Sequence, residues 1–199
     1  MRKIFFLLFI TSNFSLVSFS QATFKQTDIL KSYKEAEELI NLGKYAVAQP
    51  FLQDFLQKYE NKTLDKSNLI YADAIYLKAL CEKETASPEA EKDLQYFADN
   101  FKGHPKTNNA YFHLGDLAYA KSNYNDALAF FDKVDEKSLT GKDVTEFQYK
   151  RAFANFALKK FSQARMYFNQ IAVNKKHPYN EEGYYYSGLS SYYLKDYNA

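Results

Sequence analysis

The chain has 199 residues, 26 Lys plus Arg against 24 Asp plus Glu, 18% aromatic residues, one Cys, no Trp, six Gly and four Pro. That length allows a domain with a substantial core, and so little Gly and Pro excludes a collagenous or low-complexity chain and points to long helices. The single cysteine, Cys81, excludes an internal disulfide framework, and no C-x-x-C is present to hold zinc or run thiol redox chemistry.

At the N-terminus, Arg2 and Lys3 precede an apolar run from Ile4 to Ile10, then polar Thr11, Ser12 and Asn13, then small residues around Ser18, Ser20 and Ala22. This is the order of a secretory signal peptide, and the apolar run is too short to span a bilayer. Residues 1–20 are therefore predicted to be a signal peptide, with cleavage after Ser20 or as late as Ala22. A buried N-terminal helix and an uncleaved anchor are the alternatives. The mature chain is expected to be exported, to a periplasm or as a secreted or surface-associated protein, and no Cys follows the leader to accept a lipid.

Loss of Arg2 and Lys3 leaves 24 basic against 24 acidic residues, with the two signs interspersed as on a solvated helical surface. No basic stripe is present to neutralise phosphates, so nucleic acid is not an expected partner. No later segment is long and apolar enough to read as transmembrane.

From residue 28 to 199 the chain reads as about five helical hairpins, the last truncated. The units run from Tyr33-Lys-Glu-Ala36 to Ala48, from Tyr76-Leu-Lys-Ala79 to Ala90, from Asn109 through Gly115 to Val134, from Tyr149-Lys-Arg-Ala152 to Ile171, and from Tyr184 through Gly188 to Asp196-Tyr197. The small residues Ala36, Ala79, Gly115, Ala152 and Gly188 recur at intervals of 43, 36, 37 and 36, a repeat of helical-hairpin size. In each predicted second helix an Ala is followed four and then three residues later by large apolar residues, which places all three on one face. The sets are Ala48, Leu52, Phe55; Ala90, Leu94, Phe97; Ala127, Phe131, Val134; and Ala164, Phe168, Ile171.

Turns are expected at Gly43-Lys44, Ser122-Asn123, Lys159-Lys160 and Lys195-Asp196. Asn68, Thr107 or Asn108, Asp143 and Asn180 are candidate caps for first helices. Pro105 and Pro178, each after a His, mark the ends of units. Ser87-Pro88 predicts a tightened turn in the second unit, and Pro50 is expected within the first turn of its helix, where N–H groups lack partners anyway.

The frame aromatic, Leu-Gly or Ala, Gly-x-Tyr-x-x-Ala, large apolar, often Pro resembles the tetratricopeptide repeat, with a period of ~34 residues. The copy at Asn108–Gly141 carries it most specifically. The resemblance implies an all-α fold, a right-handed α-solenoid of antiparallel helix pairs. Unit ends such as Phe97-Ala-Asp-Asn-Phe-Lys-Gly-His-Pro105 are similar to the exported bacterial cell-envelope type found in outer-membrane assembly factors and Tol-Pal-associated proteins. This chain lacks their lipid-accepting Cys and a heptad coiled coil ahead of the repeats. A stacked hairpin cannot bury its face alone, so the truncated fifth unit reads as part of a longer array.

No catalytic, metal or cofactor constellation stands out. His104, His113 and His177 lack neighbours at ligand spacing, and His104 and His177 occupy equivalent unit ends, where capping of a helix C-terminus is expected. Glu35, Glu37, Glu38 and the pair Glu181, Glu182 read as a solvated face rather than an acid/base pair. Cys81 reads as a small core residue.

Aromatic residues stand out instead. Three residues before each small residue stand Tyr33, Tyr76, Phe112, Tyr149 and Tyr185, and four after it Ile40, Lys83, Tyr119, Phe156 and Tyr192. The resemblance places both columns on the concave groove. Tyr33, Tyr76, Phe112, Asp116, Tyr119, Tyr149, Phe156, Tyr185 and Tyr192 are thus candidate partner-binding residues for a protein or peptide, with large contact area at little entropic cost. The alternative is that the aromatics pack between successive units. The groove lacks the Lys and Asn pattern with which some relatives clamp a C-terminal carboxylate. The expected function is a non-enzymatic protein-protein interaction scaffold. A glycan- or peptidoglycan-binding module, with Asn109, Asp116 and Asn155 as flanking polar groups, and a docking arm of a longer protein are the alternatives.

Overall fold

The computed structural model describes residues 30–60 and 68–196; the predicted signal peptide, Asp28 and Tyr197 lie outside them. Regular structure among the described residues is helical: α1 (30–41), α2 (Tyr45–Glu60), α3 (Leu69–Glu84), α4 (Ala90–Asn100), α5 (Thr107–Ala120), α6 (Tyr124–Phe131), α7 (Lys142–Ala157), α8 (Phe161–Val173) and α9 (Asn180–Tyr193). A 3-10 turn, Glu136–Ser138, separates α6 from α7. The chain divides into two compact units, one up to Ala90 and one from Glu91.

Each first helix, α1, α3, α5, α7 and α9, ends in the same way. The residue seven positions after the repeating small residue has a left-handed backbone: Gly43 (φ 70°), Ala86 (φ 55°), Ser122, Lys159 and Lys195 (each φ 58°). The N–H of that residue donates to the carbonyl three positions back, and the next N–H to the carbonyl five before itself. In α5 these bonds are Ser122 N to Tyr119 O at 2.8 Å and Asn123 N to Ala118 O at 2.9 Å; in α7 they are Lys159 N to Phe156 O and Lys160 N to Asn155 O, both at 2.9 Å. This is the Schellman arrangement, which satisfies carbonyls that the end of a helix leaves without partners.

The second helix begins two residues after the left-handed one in α2, α6 and α8. It begins four after it in α4, so this turn is lengthened rather than tightened. Ser87 Oγ accepts the N–H of Glu89 at 3.3 Å, and this local turn around Pro88 takes the place of the helix's first residues. Pro50 is also deeper than expected, at the sixth residue of α2, and it lies on the exposed side, where water can satisfy the carbonyl it leaves free.

The Ala-x3-large-x2-large faces form the core. Ala48, Leu52, Phe55, Ala90, Leu94, Phe97, Ala127, Phe131, Ala164, Phe168 and Ile171 are all buried, and Val134 packs half-buried against the Phe131 cluster. In the first unit the Phe55 ring lies 5.4 Å from Tyr33 and 5.5 Å from Tyr59, and Tyr59 stacks on Tyr71 at 5.0 Å. In the second unit Phe112, Phe131, Phe147 and Leu139 form one cluster, and Ala152, Phe168 and Ile171 the next. Lys121 pairs with Glu91 of α4, and Arg165 of α8 with Asp196 beyond α9 at 2.6 Å.

Of the predicted caps, only Asn68 caps its helix, its Oδ1 accepting Ile70 N–H at 2.9 Å. Thr107 donates its hydroxyl back to Phe101 O at 2.6 Å. Asn108 instead bridges to Asp135, donating to its carbonyl at 3.1 Å and accepting its N–H at 2.7 Å. Asp143 lies inside the first turn of α7, where its charge meets the positive end of the helix dipole. Asn180 reaches backward, its Nδ2 donating to Ala172 O at 2.6 Å and Asn174 O at 3.1 Å, so it closes the end of α8 rather than the start of α9.

Two sets of substitutions test these packing rules. Lys159→Gly and Ala86→Gly each remove left-handed strain of about 1–2 kcal/mol at a backbone-entropy cost of about 0.5–1 kcal/mol, so each is expected to raise stability in urea unfolding by about 0.5–1 kcal/mol. At Gly115 a Cβ would meet the buried Phe131 ring at 2.3 and 2.5 Å, whereas at Gly188 it meets nothing within 4 Å. Gly115→Ala is therefore expected to cost about 1–3 kcal/mol, and Gly188→Ala to leave stability unchanged or raise it by up to about 1 kcal/mol.

Candidate functional site: an aromatic ladder on the first helices

The two predicted aromatic columns share a repeat register but differ in burial. Tyr33, Tyr76 and Phe112 are buried and contribute to the core. Tyr119, Tyr149 and Phe156 are half-buried, and Tyr185 and Tyr192 are exposed at 64% and 62%. The structure thus brings the candidates together only from α5 onward. In the first unit the Tyr33 hydroxyl donates to Glu37 at 2.9 Å and Asp73 at 3.4 Å, and burial together with these carboxylates pushes its ionisation far up.

In the second unit the rings form a continuous ladder. Tyr119 contacts Tyr124 at 5.6 Å and Phe153 at 6.0 Å. Phe153 meets Tyr149 at 6.1 Å, Phe156 at 6.4 Å and Tyr186 at 5.4 Å. Tyr149 stacks on Tyr179 at 4.4 Å, and Phe156 reaches Tyr193 at 6.1 Å. Edge-to-face and offset geometries dominate, as the ring quadrupole favours. Burial, then Tyr186, Glu182 and Tyr179, pushes the Tyr149 hydroxyl up to about 12, so it is a neutral hydrogen-bonding group at physiological pH.

Phe153 and Tyr186, the centre of this ladder, lie outside the predicted columns. Phe153 is four residues after Tyr149, a one-turn spacing that identifies it as a neighbour. Tyr186 rather than Tyr185 turns inward, meeting Phe156 at 5.1 Å and Phe168 at 5.0 Å. Their adjacency in sequence conceals which of the two packs.

Beside the ladder runs a short ion chain. Lys150 Nζ is shared between Asp116 of α5 and Glu146 one turn before it in α7 at 2.7 Å, and Lys142 reaches Glu146 at 2.8 Å. Burial pulls the Lys150 ammonium down, but its hydrogen bonds to Asp116 and Glu146 outweigh this and hold it above the ordinary lysine value. Burial likewise raises the Glu146 carboxyl, and the bonds from Lys142 and Lys150 reverse the sign. Asp116 is therefore engaged in tying α5 to α7. Asn155 is buried and donates to Arg151 O at 2.8 Å.

The histidines at unit ends accept N–H groups at helix entries. His104 Nδ1 accepts Lys106 N–H at 3.2 Å, and His177 Nδ1 accepts Tyr179 N–H at 3.1 Å. His177 Nε2 also lies 2.9 Å from Gln148 Oε1. Cys81 is buried, and burial, then Glu82 and Glu84, pushes its thiol up to about 11, the opposite of nucleophile activation. Among the described residues no group of three or more His, Cys, Asp and Glu is placed to hold a metal ion, and no helix is long and apolar enough to cross a membrane.

Successive helix pairs, closed by one turn type and packed through one repeated face, define an all-α helical-repeat fold of the tetratricopeptide type, the architecture of an α-solenoid. The chain is similar in fold to a Podosopora anserina protein assigned as a kinesin light chain and described as nearly identical TPR-like repeats, at 14% identity and a TM-score of 0.59, over 86% of this chain and 89% of that one. A singly substituted form of that protein is similar at 15% identity and a TM-score of 0.61, over 86% and 88%. No protein-family model and no curated protein matches the sequence.

The His177 contacts have a consequence for pH. Its buried ring has a pKa below the ordinary value of about 6.5 because desolvation outweighs Glu182. The folded state therefore binds fewer protons than the unfolded one above that lower value, so stability is complete above about pH 6.5 and is lost as pH falls through the folded pKa. The urea midpoint is expected to drop on acidification more steeply in the parent chain than in His177→Asn, whose amide oxygen can accept the Tyr179 N–H without titrating.

Proposed function

We propose that this chain is a non-enzymatic protein-interaction scaffold of the bacterial cell envelope, exported by the leader at 1–20 and periplasmic in its mature form. It holds a partner polypeptide in the groove that first helices line in such repeats. The ladder Tyr119–Phe153–Phe156–Tyr186 carries this reading: four rings on three successive first helices, held by one another and half open to solvent. Rings fixed in this way offer contact area without a large loss of rotamer freedom on binding. The neighbouring charges are already paired with one another, so affinity rests on apolar contact and depends weakly on salt. The helical-repeat fold supports a protein partner as the class of ligand.

Affinity capture from the native envelope tests it, with residues 23–199 as bait beside Tyr119→Leu/Phe156→Leu, which keeps apolar bulk but removes the rings. A specific protein retained by the parent bait and lost with the folded variant is the expected result. Equal recovery by both baits assigns the ladder to packing alone. Recovery of glycan without protein replaces the scaffold with a carbohydrate-binding module.

A further inference from the structure

His177 joins a titratable group to the aromatic ladder. In the sequence His177-Pro178-Tyr179 the imidazole Nδ1 accepts the N–H two residues on, at 3.1 Å, and the ring of that same Tyr179 stacks on Tyr149 at 4.4 Å with the planes 22° apart. Tyr179 is thus held through its backbone while its ring covers a face of Tyr149. Phe153 and Phe168 approach Tyr149 less closely, at 6.1 and 6.2 Å. His104-Pro105-Lys106 makes the same turn at the entry to α5, its Nδ1 accepting Lys106 N–H at 3.2 Å. Lys106 is exposed and has no ring, so this copy of the turn carries no ladder residue.

A nitrogen that accepts a hydrogen bond carries no proton, so the neutral His177 ring has its proton on Nε2, 2.9 Å from Gln148 Oε1. A second proton can add only at Nδ1. Imidazolium donates from both nitrogens, so protonation sets one N–H against the Tyr179 N–H, and the bond between the ring and Tyr179 is lost. The charges facing the ring are Glu182 of α9, which favours the cation, and Glu136 of the 3-10 turn, which acts through Gln148 of α7. Lys150 and Arg151 of α7 and Arg165 of α8 are paired with Asp116, Asp132 and Asp196, and Lys175 and Lys176 of the same loop are exposed. Burial outweighs Glu182 and places the transition below about pH 6.5. The start of α9 is held separately, because Asn180 Nδ2 donates to Ala172 O at 2.6 Å and Asn174 O at 3.1 Å. The helix therefore stays tied to the end of α8 while the residues before it rearrange.

We propose that His177 is a pH-sensitive latch on the ladder: protonation at Nδ1 ejects the Tyr179 N–H, the Tyr179 ring leaves Tyr149, and a face of Tyr149 opens to a partner. This deepens the ladder reading and rests on it only for the use of the opened face. The latch is read in the chain alone, so it can fail while the ladder still captures a partner, or hold where no partner is found.

The test is an NMR titration of the full chain from neutral to mildly acidic pH. It follows the His177 Cε1–H shift, the ring-to-ring NOE between Tyr149 and Tyr179, and the flavin photo-CIDNP signal of Tyr149, which reports an accessible tyrosine ring. The NOE is expected to vanish and the Tyr149 signal to appear in step with His177 protonation, in the parent and in His104→Asn alike. In His177→Asn, whose amide oxygen accepts the Tyr179 N–H without titrating, the NOE is expected to persist throughout; a melting temperature close to the parent's checks the fold, and the parent titration decides by itself where that variant does not fold. An NOE that survives protonation of His177, one lost equally in folded His177→Asn, or an imidazole that stays neutral until the chain unfolds overturns the latch.

Discussion

Helix pairing in this protein depends on a fixed distance along the chain: a small residue where two helices meet, and seven residues later a left-handed backbone position where the first helix stops. The small residue lets the facing aromatic come close, as Phe131 does at Gly115. The left-handed residue releases the chain at a constant rotation, so that the next helix presents its Ala-led face to that same small residue. Neither works alone. A displaced turn would rotate the second helix and expose Phe131 or Phe168, and a bulky residue at the crossing would separate helices that the turn had already aimed at each other. Because the device recurs in five first helices, the core can be extended by repetition without any long-range strand pairing.

The aromatic ladder follows from that geometry. Once the hairpins are fixed, the first-helix positions that flank the small residue lie between neighbouring helices, and large flat side chains fill the wedge. Where helices pack on both sides, as around Phe112, the ring becomes core. Around Tyr119 and Phe156 one edge stays open. The same sequence position thus grades from structural to available along the chain, and the chemistry on offer is contact area and neutral hydroxyls rather than charge, because Asp116, Lys150 and Glu146 neutralise one another.

The sequence made the second-helix faces legible, because a spacing of four and three residues has only one helical interpretation and apolar burial enforces it; the exception is Val134, which lies beyond the end of α6 and packs half-buried from the following turn. Turn positions were legible for the same reason of register, but their left-handed conformation was not: only Gly43 among the five advertises it, while Ala86, Ser122, Lys159 and Lys195 adopt it under the demand of the bonds around them. Caps were the least legible. Asn180 and Thr107 have the right side chains at the right places, yet each turns back to a carbonyl behind it, Asn180 to Ala172 O and Thr107 to Phe101 O, which also accepts the His104 N–H. For the candidate site, spacing located the columns but could not rank them. Burial is decided by which helix lies alongside, and Tyr185 and Tyr186 exchange roles through a rotation that no composition reveals.

Gln148 gives the structure a polarity. Its amide nitrogen donates to Glu136 at 2.5 Å, and its amide oxygen faces His177 Nε2 at 2.9 Å. A carboxylate can only accept, so Glu136 dictates the orientation of the amide. The amide then dictates that Nε2 carries the imidazole proton, which leaves Nδ1 bare to take the Tyr179 N–H that starts α9. The four groups form a one-way relay in which an anion on the 3-10 turn chooses the tautomer of a histidine beyond α8. Neutralising Glu136 would remove the sense of direction from the whole line while leaving every atom in place.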